Sequence, residues 1–184
     1  MHRIAAILVR QDKFTEAMAQ LEKVLGREES NLPPNHPDTM KTTRTIALVY
    51  SKIGDYHSSL SWYQLALDGF KATQGEQHLD VFETLHSMSS VHFSLGNLLE
   101  ATHALEQATN GLETCLGPTD LSTLAAMHDL ASLYDFRELN EDALKWFEKA
   151  LEGYKTALGQ DHPNAKAAEE RIRNLQDRLR DHRR

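Results

Sequence analysis

HPDTMKTTRTIALVYSKIGDYHSSLSWYQLALDGFKATQG, residues 36–75, reads as two helices joined by a tight turn. His36-Pro37-Asp38-Thr39 opens the first helix. A proline there sacrifices nothing, because its N–H would have no intrahelical partner. Thr43, Ile46, Ala47, Val49 and Tyr50 follow at helical spacing. Gly54-Asp55 breaks that helix. Tyr56, Leu60, Tyr63, Ala66 and Leu67 form the apolar stripe of the second, and Gly75 closes it.

The same pattern returns every 42 residues. Gly75, Gly117 and Gly159 hold this step, as do Ala66, Ala108 and Ala150. Gly69, Gly111 and Gly153 make another column, and Ala17, Ser59, Ala101 and Ala143 a fourth. His36 and His78 are one step apart, and His162 lies two steps beyond His78. A fixed period of this size marks a repeat array, in which each unit buries its apolar face against its neighbours. The expected class is all-α: about four helical hairpins, residues 1–33, 34–75, 76–117 and 118–159, then a capping helix over 162–182.

Unit three opens at His78-Leu79-Asp80, turns at Gly96-Asn97, and buries Leu98, Ala101, Leu105 and Ala108. Unit four opens at Asp120-Leu121-Ser122-Thr123 and turns near Glu138-Leu139-Asn140. It then buries Ala143, Leu144, Phe147, Ala150 and Leu151. Unit one starts late. Ile4, Ala5, Ile7 and Leu8 stand one period before Ile46, Ala47, Val49 and Tyr50, and its second helix carries Phe14, Ala17, Leu21 and Val24. A fragment of a longer protein is expected. After His162-Pro163-Asn164, one helix keeps Ile172 and Leu175 apolar but places Arg173 and Gln176 where earlier units have alanine or tyrosine. That polarity fits a terminal cap. The charged tail from Arg178 to Arg184 is expected to fray.

The small residues at 17, 59, 101 and 143 let paired helices approach closely. Trp62 and Trp146 share one column, Tyr50 and Tyr134 another, and packing between units is their expected role. Cys115 falls in a column with Thr73 and Ala157, which reads as a buried structural thiol.

The chain has 184 residues, 40% apolar and 26% charged, a globular composition. A net charge of −7 speaks against general affinity for nucleic acid, which needs a basic face. One cysteine permits no internal disulfide and fits a reducing compartment, cytosolic or nuclear. No apolar run nears the ~18 residues of a membrane span.

Ala47, Tyr50, Gly54, Tyr56, Ser59, Tyr63 and Ala66 together resemble the tetratricopeptide repeat. The 42-residue length, with Gly-x-x-His-Pro-Asp-Thr-like joints between units, resembles the kinesin light chain type, a variant also present in sensor arrays of some signalling NTPases. The resemblance covers nearly the whole chain. It implies a right-handed superhelix of stacked antiparallel helix pairs, whose first helices line a concave groove for extended peptides or partner helices.

That groove places its candidates just before the small-residue column of each first helix. The kinesin light chain type commonly carries an asparagine pair there, the second clamping peptide backbone. Here the pairs read His2-Arg3, Arg44-Thr45, His86-Ser87 and His128-Asp129. Neighbouring candidates are Lys41, Leu48, Ser90, Phe93, Ser132, Asp135 and Phe136. Arg3, Arg10, Lys41, Arg44 and Lys52 make the N-terminal units basic; Asp129, Asp135 and Glu138 make the fourth acidic. A polarised groove is expected, favouring a peptide with charge in the opposite order and an apolar anchor near Phe93.

The ten histidines show no His-x-x-x-His pair, and columns one unit apart are typically ~10 Å apart, too far for a shared zinc. A histidine column could also tighten an acidic ligand below pH ~6.5. No Walker A, Gly-x-Ser-x-Gly or Gly-x-Gly-x-x-Gly motif occurs, so neither catalysis nor a cofactor is expected. The expected function is a protein-interaction scaffold or adaptor, cytoplasmic, with a protein or peptide partner and neither nucleic acid nor membrane. The alternative is a sensor or regulatory arm of a larger signalling NTPase, acting by intramolecular packing or self-association. End-to-end association through the truncated first unit is a further expected mode.

Overall fold

One residue type at one recurring position starts three of the helices. In the computed structural model, which describes residues 7–9 and 11–181, His36 Nδ1 accepts the N–H of Asp38, His78 Nδ1 that of Asp80, and His162 Nδ1 that of Asn164, each at 3.2 Å. Asp120 takes the same place in the third of these four positions and accepts from Ser122 N at 2.8 Å. Each cap satisfies a backbone donor that the helix cannot, worth ~1 kcal/mol. Four first helices or their equivalents therefore begin in register, 42 residues apart.

The helices are α1 (Phe14–Asn31), α2 (Pro37–Ile53), α3 (Tyr56–Gln74) and α4 (Leu79–Ser94). They continue with α5 (Leu98–Leu116), α6 (Leu121–Phe136), α7 (Asn140–Leu158) and α8 (Pro163–Asp181). Among the described residues there is no strand. The tail expected to fray is helical as far as Asp181; residues 182–184 lie outside the described residues.

The hairpin turn repeats as faithfully as the caps. Asp12, Gly54, Gly96 and Glu138 stand 42 residues apart, with φ of 57°, 91°, 77° and 61°. Glycine takes this left-handed region freely, while other L-residues pay ~1–2 kcal/mol. The turn is therefore imposed by the packed helices on either side, and Asp12 and Glu138 conform to it at a cost.

The chain forms two compact units, Met1–Ala101 and Thr102–Arg184. In the first, α1 packs on α2, α2 on α3 and α3 on α4; in the second, α6 packs on α7 and α7 on α8. Ala17, Leu21, Ile46 and Val49 form a core in the first unit. Three periods later Ala143, Phe147 and Leu175, with Ile172 against them, form a core in the second. All four small-residue positions, Ala17, Ser59, Ala101 and Ala143, are 0% exposed. Ser59 is tolerated because its hydroxyl donates to Ala47 O at 2.8 Å. The large members of the core share one column, Leu21, Tyr63, Leu105 and Phe147, each at most 3% exposed. Burial of one such side chain contributes ~1.5–3 kcal/mol.

The helical glycines Gly69 and Gly153 have a separate purpose. A Cβ on Gly69 would meet Met40 Sδ at 2.1 Å, and one on Gly153 would meet Leu124 Cδ2 at 2.2 Å. Met40 and Leu124 are themselves two periods apart, so both glycines admit the same residue of the preceding first helix. Cys115, expected to be buried, is exposed. Its column partners Thr73 and Ala157 are exposed too. Small size in that column reflects a solvent-facing last turn rather than a tight crossing.

Candidate functional site

Lys41, Arg44, Thr45 and Leu48 lie on α2, and His86, Ser87, Ser90 and Phe93 on α4. His128, Asp129, Ser132, Asp135 and Phe136 lie on α6. Arg3, with its partner His2, falls outside the described residues, as does Arg10.

In the first unit two of the basic residues, Arg44 and Lys41, are already answered. Arg44 Nη1 lies 2.8 Å from Glu83 Oε2 and 3.4 Å from Asp80 Oδ1, and its guanidinium stacks 5.4 Å above the Phe70 ring. Lys41 Nζ is 3.9 Å from Asp80 Oδ2. Asp80 is only 7% exposed. An uncompensated carboxylate there would be costly, so the cations of α2 tie α2 to α4. The expected basic N-terminal face is thus offset by two acids that the charge pattern had not assigned to it.

The second unit shows the converse. Asp135, the expected acidic contact on α6, is hydrogen-bonded by Arg178 of α8. His128 meets the Phe147 ring edge-on at 5.3 Å and lies 4.0 Å from Asp129 Oδ1. Asp80, Glu83 and Arg178 are the residues the sequence reading missed. Glu83 sits one helical turn before His86, and Arg178 one period after Phe136, so both were legible in the register; their direction was not.

Several candidate hydroxyls are engaged by their own helix. Thr45 donates to Lys41 O at 2.8 Å, Ser87 to Glu83 O at 3.0 Å and Ser132 to His128 O at 2.9 Å. Their lone pairs remain for a ligand N–H, but their protons are spent.

Three large apolar side chains on the first helices stay open: Leu48 at 38%, Phe93 at 43% and Phe136 at 62% exposure. Two phenols are held protonated more firmly than usual. Burial pushes the Tyr63 hydroxyl up to about 12, against hydrogen bonding with Ser87 and the charge of Arg44. Burial, then hydrogen bonding to Glu106, also raises Tyr134. Where Tyr50 and Tyr134 stand in their units, α4 carries His92. Its Nδ1 is buried without a hydrogen bond, and desolvation lowers its affinity for a proton despite Glu100 nearby. Among the described residues no cluster of histidine, cysteine and carboxylate could hold a metal ion, and no helix is long and apolar enough to cross a membrane.

A search among curated protein sequences finds no significant match. Solved structures are more informative about the fold. The nearly identical TPR-like repeats of a kinesin light chain protein from Podosopora anserina superpose with a TM-score of 0.81 at 21% identity, over 95% of this chain and 82% of that one. BtubC (BKLC) from P. vanneervenii gives 0.73 at 17% identity, over 96% and 78%. MamA from Desulfovibrio magneticus RS-1 gives 0.59 at 17% identity, over 98% and 93%. At such identities these likenesses carry the all-α repeat fold and nothing finer. The family model described as tetratricopeptide repeat matches residues 1–72, 38–114 and 80–156. Its matches overlap along most of the sequence, in step with the caps and turns above, and the chain belongs to the tetratricopeptide repeat family.

Proposed function

We propose that the chain is a non-enzymatic protein-interaction module whose first-helix faces take an extended peptide or a partner helix. The family is generally one of protein-binding scaffolds. The observation that supports the reading is the exposure of Leu48, Phe93 and Phe136 on α2, α4 and α6. Large apolar side chains left open beside ion pairs are what a partner would cover. The ligand chemistry that follows is an apolar-anchored peptide, its N–H groups accepted by Thr45 and Ser87 on the first unit or by Ser132 on the second. Lys41 supplies charge on the first unit and Asp129 on the second. The lone cysteine fits a reducing, cytoplasmic setting.

The charge reversal that first suggests itself, Arg44→Glu, would set a third carboxylate against Asp80 and Glu83. Apolar truncation is the cleaner test. Peptides selected from a random library against the whole chain should bind about tenfold more weakly to Phe93→Ala or Phe136→Ala, a loss of ~1.4 kcal/mol typical of an anchor. Unchanged affinity in both variants would remove the first-helix faces from the account.

A further inference from the structure

Equivalent positions in the two units differ by one cation. In the second unit Lys149 Nζ lies 2.6 Å from Glu113 Oε2 and 5.1 Å from the centroid of the Trp146 ring. The ammonium is held between carboxylate and indole, with its alkyl stem along the aromatic surface. Two periods earlier, in the first unit, the corresponding residues are Glu29, Trp62 and Leu65. The carboxylate and the indole are kept, but the cation is replaced by leucine. Glu29 is exposed, and among the described residues its carboxylate has no ion pair or hydrogen bond. Leu65 is 50% exposed. Between them lies a cleft of about 270 Å³, walled by Leu32, Pro33, Met40 and Trp62.

We infer that this cleft binds a lysine side chain from a partner protein, which supplies from outside the cation that Lys149 supplies from within. Three observations converge on that occupant. The intact triad in the second unit shows what this backbone frame holds at the position. The surviving Glu29 and Trp62 ask for positive charge over an aromatic face. The volume falls just below the ~300–1,000 Å³ of small-molecule pockets and suits a single side chain. A lysine stem would cover Leu65 and Trp62 while its ammonium reached Glu29. The buried Thr39 hydroxyl, unpaired in the cleft wall, does not discriminate, since Thr123 two periods later is equally unpaired. The cleft shares no residue with the first-helix faces, so it is a second contact surface.

The two tryptophans make the test internally controlled. The indole N–H signals of Trp62 and Trp146 are followed by heteronuclear NMR as acetyl-Gly-Leu-Lys-Leu-Gly-amide is added to the whole chain. The expected result is a saturable shift of Trp62 with Trp146 unmoved. Norleucine in place of the lysine should weaken binding about two- to fivefold, the ratio an exposed ion pair provides. Glu29→Gln should do the same. Leu65→Lys, which rebuilds the triad in place, should abolish the Trp62 response while the Trp146 signal reports an intact fold. Phe93→Ala should leave the response unchanged, which separates this cleft from the first-helix faces. An unresponsive Trp62, equal binding of the norleucine peptide, or an equal response in Leu65→Lys would overturn the assignment. So would lysine methyl ester binding as tightly as the peptide, which would point to a free organic cation.

Discussion

In Met1–Ala101 the cation stands on the earlier first helix, Arg44, and the carboxylates on the later one, Asp80 and Glu83. In Thr102–Arg184 the order is reversed: Asp135 stands on α6 and Arg178 on α8. The apolar columns of the two units are nearly interchangeable, while the charged contacts laid over them are not. Packing sets the frame, because a buried column residue contributes ~1.5–3 kcal/mol and a partly exposed ion pair at most ~1 kcal/mol. Charge is left free to vary. The same division separates Lys149, paired with Glu113 over Trp146, from Leu65, which takes its place beside Glu29 and Trp62.

The largest expected effect tests whether the frames are alike in rigidity. Gly153→Ala should cost ~1–3 kcal/mol by urea unfolding, since its Cβ meets the fully buried Leu124 and lies 3.1 Å from Pro118 O. Gly69→Ala should cost less, because the flexible Met40 can swing aside. Equal losses would mean that the first unit is packed as stiffly as the second. The hairpin turns should respond oppositely. Glu138→Gly relieves a left-handed glutamate and should stabilise by ~0.5–1 kcal/mol, whereas Gly96→Ala should destabilise by a similar amount. Shifts of one sign for both would refute the shared turn.

Smaller effects probe the charges. Lys149→Leu, which copies the first unit into the second, should cost ~0.2–1 kcal/mol and weaken further in significance at high salt. A parent-like melting curve at low salt would show the bridge to be idle. The smallest effect is one of pH. His92 binds a proton less readily folded than unfolded, because burial penalises its charge. Stability tied to it is complete at neutral pH and is lost as pH falls below the unfolded value of 6.5. His92→Tyr, the residue its column carries in Tyr50 and Tyr134, should lose less stability than the parent between pH 7.5 and pH 5.5. A parallel loss in both would place the titration elsewhere.

Much of the fold was legible because it depends on backbone constraints that sequence expresses directly. Glycine at 54, 75, 96, 117 and 159 marks positions of positive φ, and each His-Pro or its equivalent marks a helix start. Ala17, Ser59, Ala101 and Ala143 announced the tight crossings by size alone. Glu138 could be placed in a turn but not in the left-handed region, since a packed scaffold overrides its preference. The charged contacts were harder to read. Asp80 was visible as part of a helix start, yet its side chain faces Arg44, and nothing in a spacing tells which way a long side chain turns. Cys115 misled for a related reason: smallness alone does not distinguish a crossing from a solvent-facing turn.

The claim on which the functional account rests is that a partner covers the first helices rather than the second. Amide chemical-shift mapping of the whole chain with a library-selected peptide tests it most directly. The expected result is shifts concentrated on α2, α4 and α6, around Leu48, Phe93 and Phe136. Shifts concentrated on α3, α5 and α7, or none beyond those of a scrambled peptide, would contradict it.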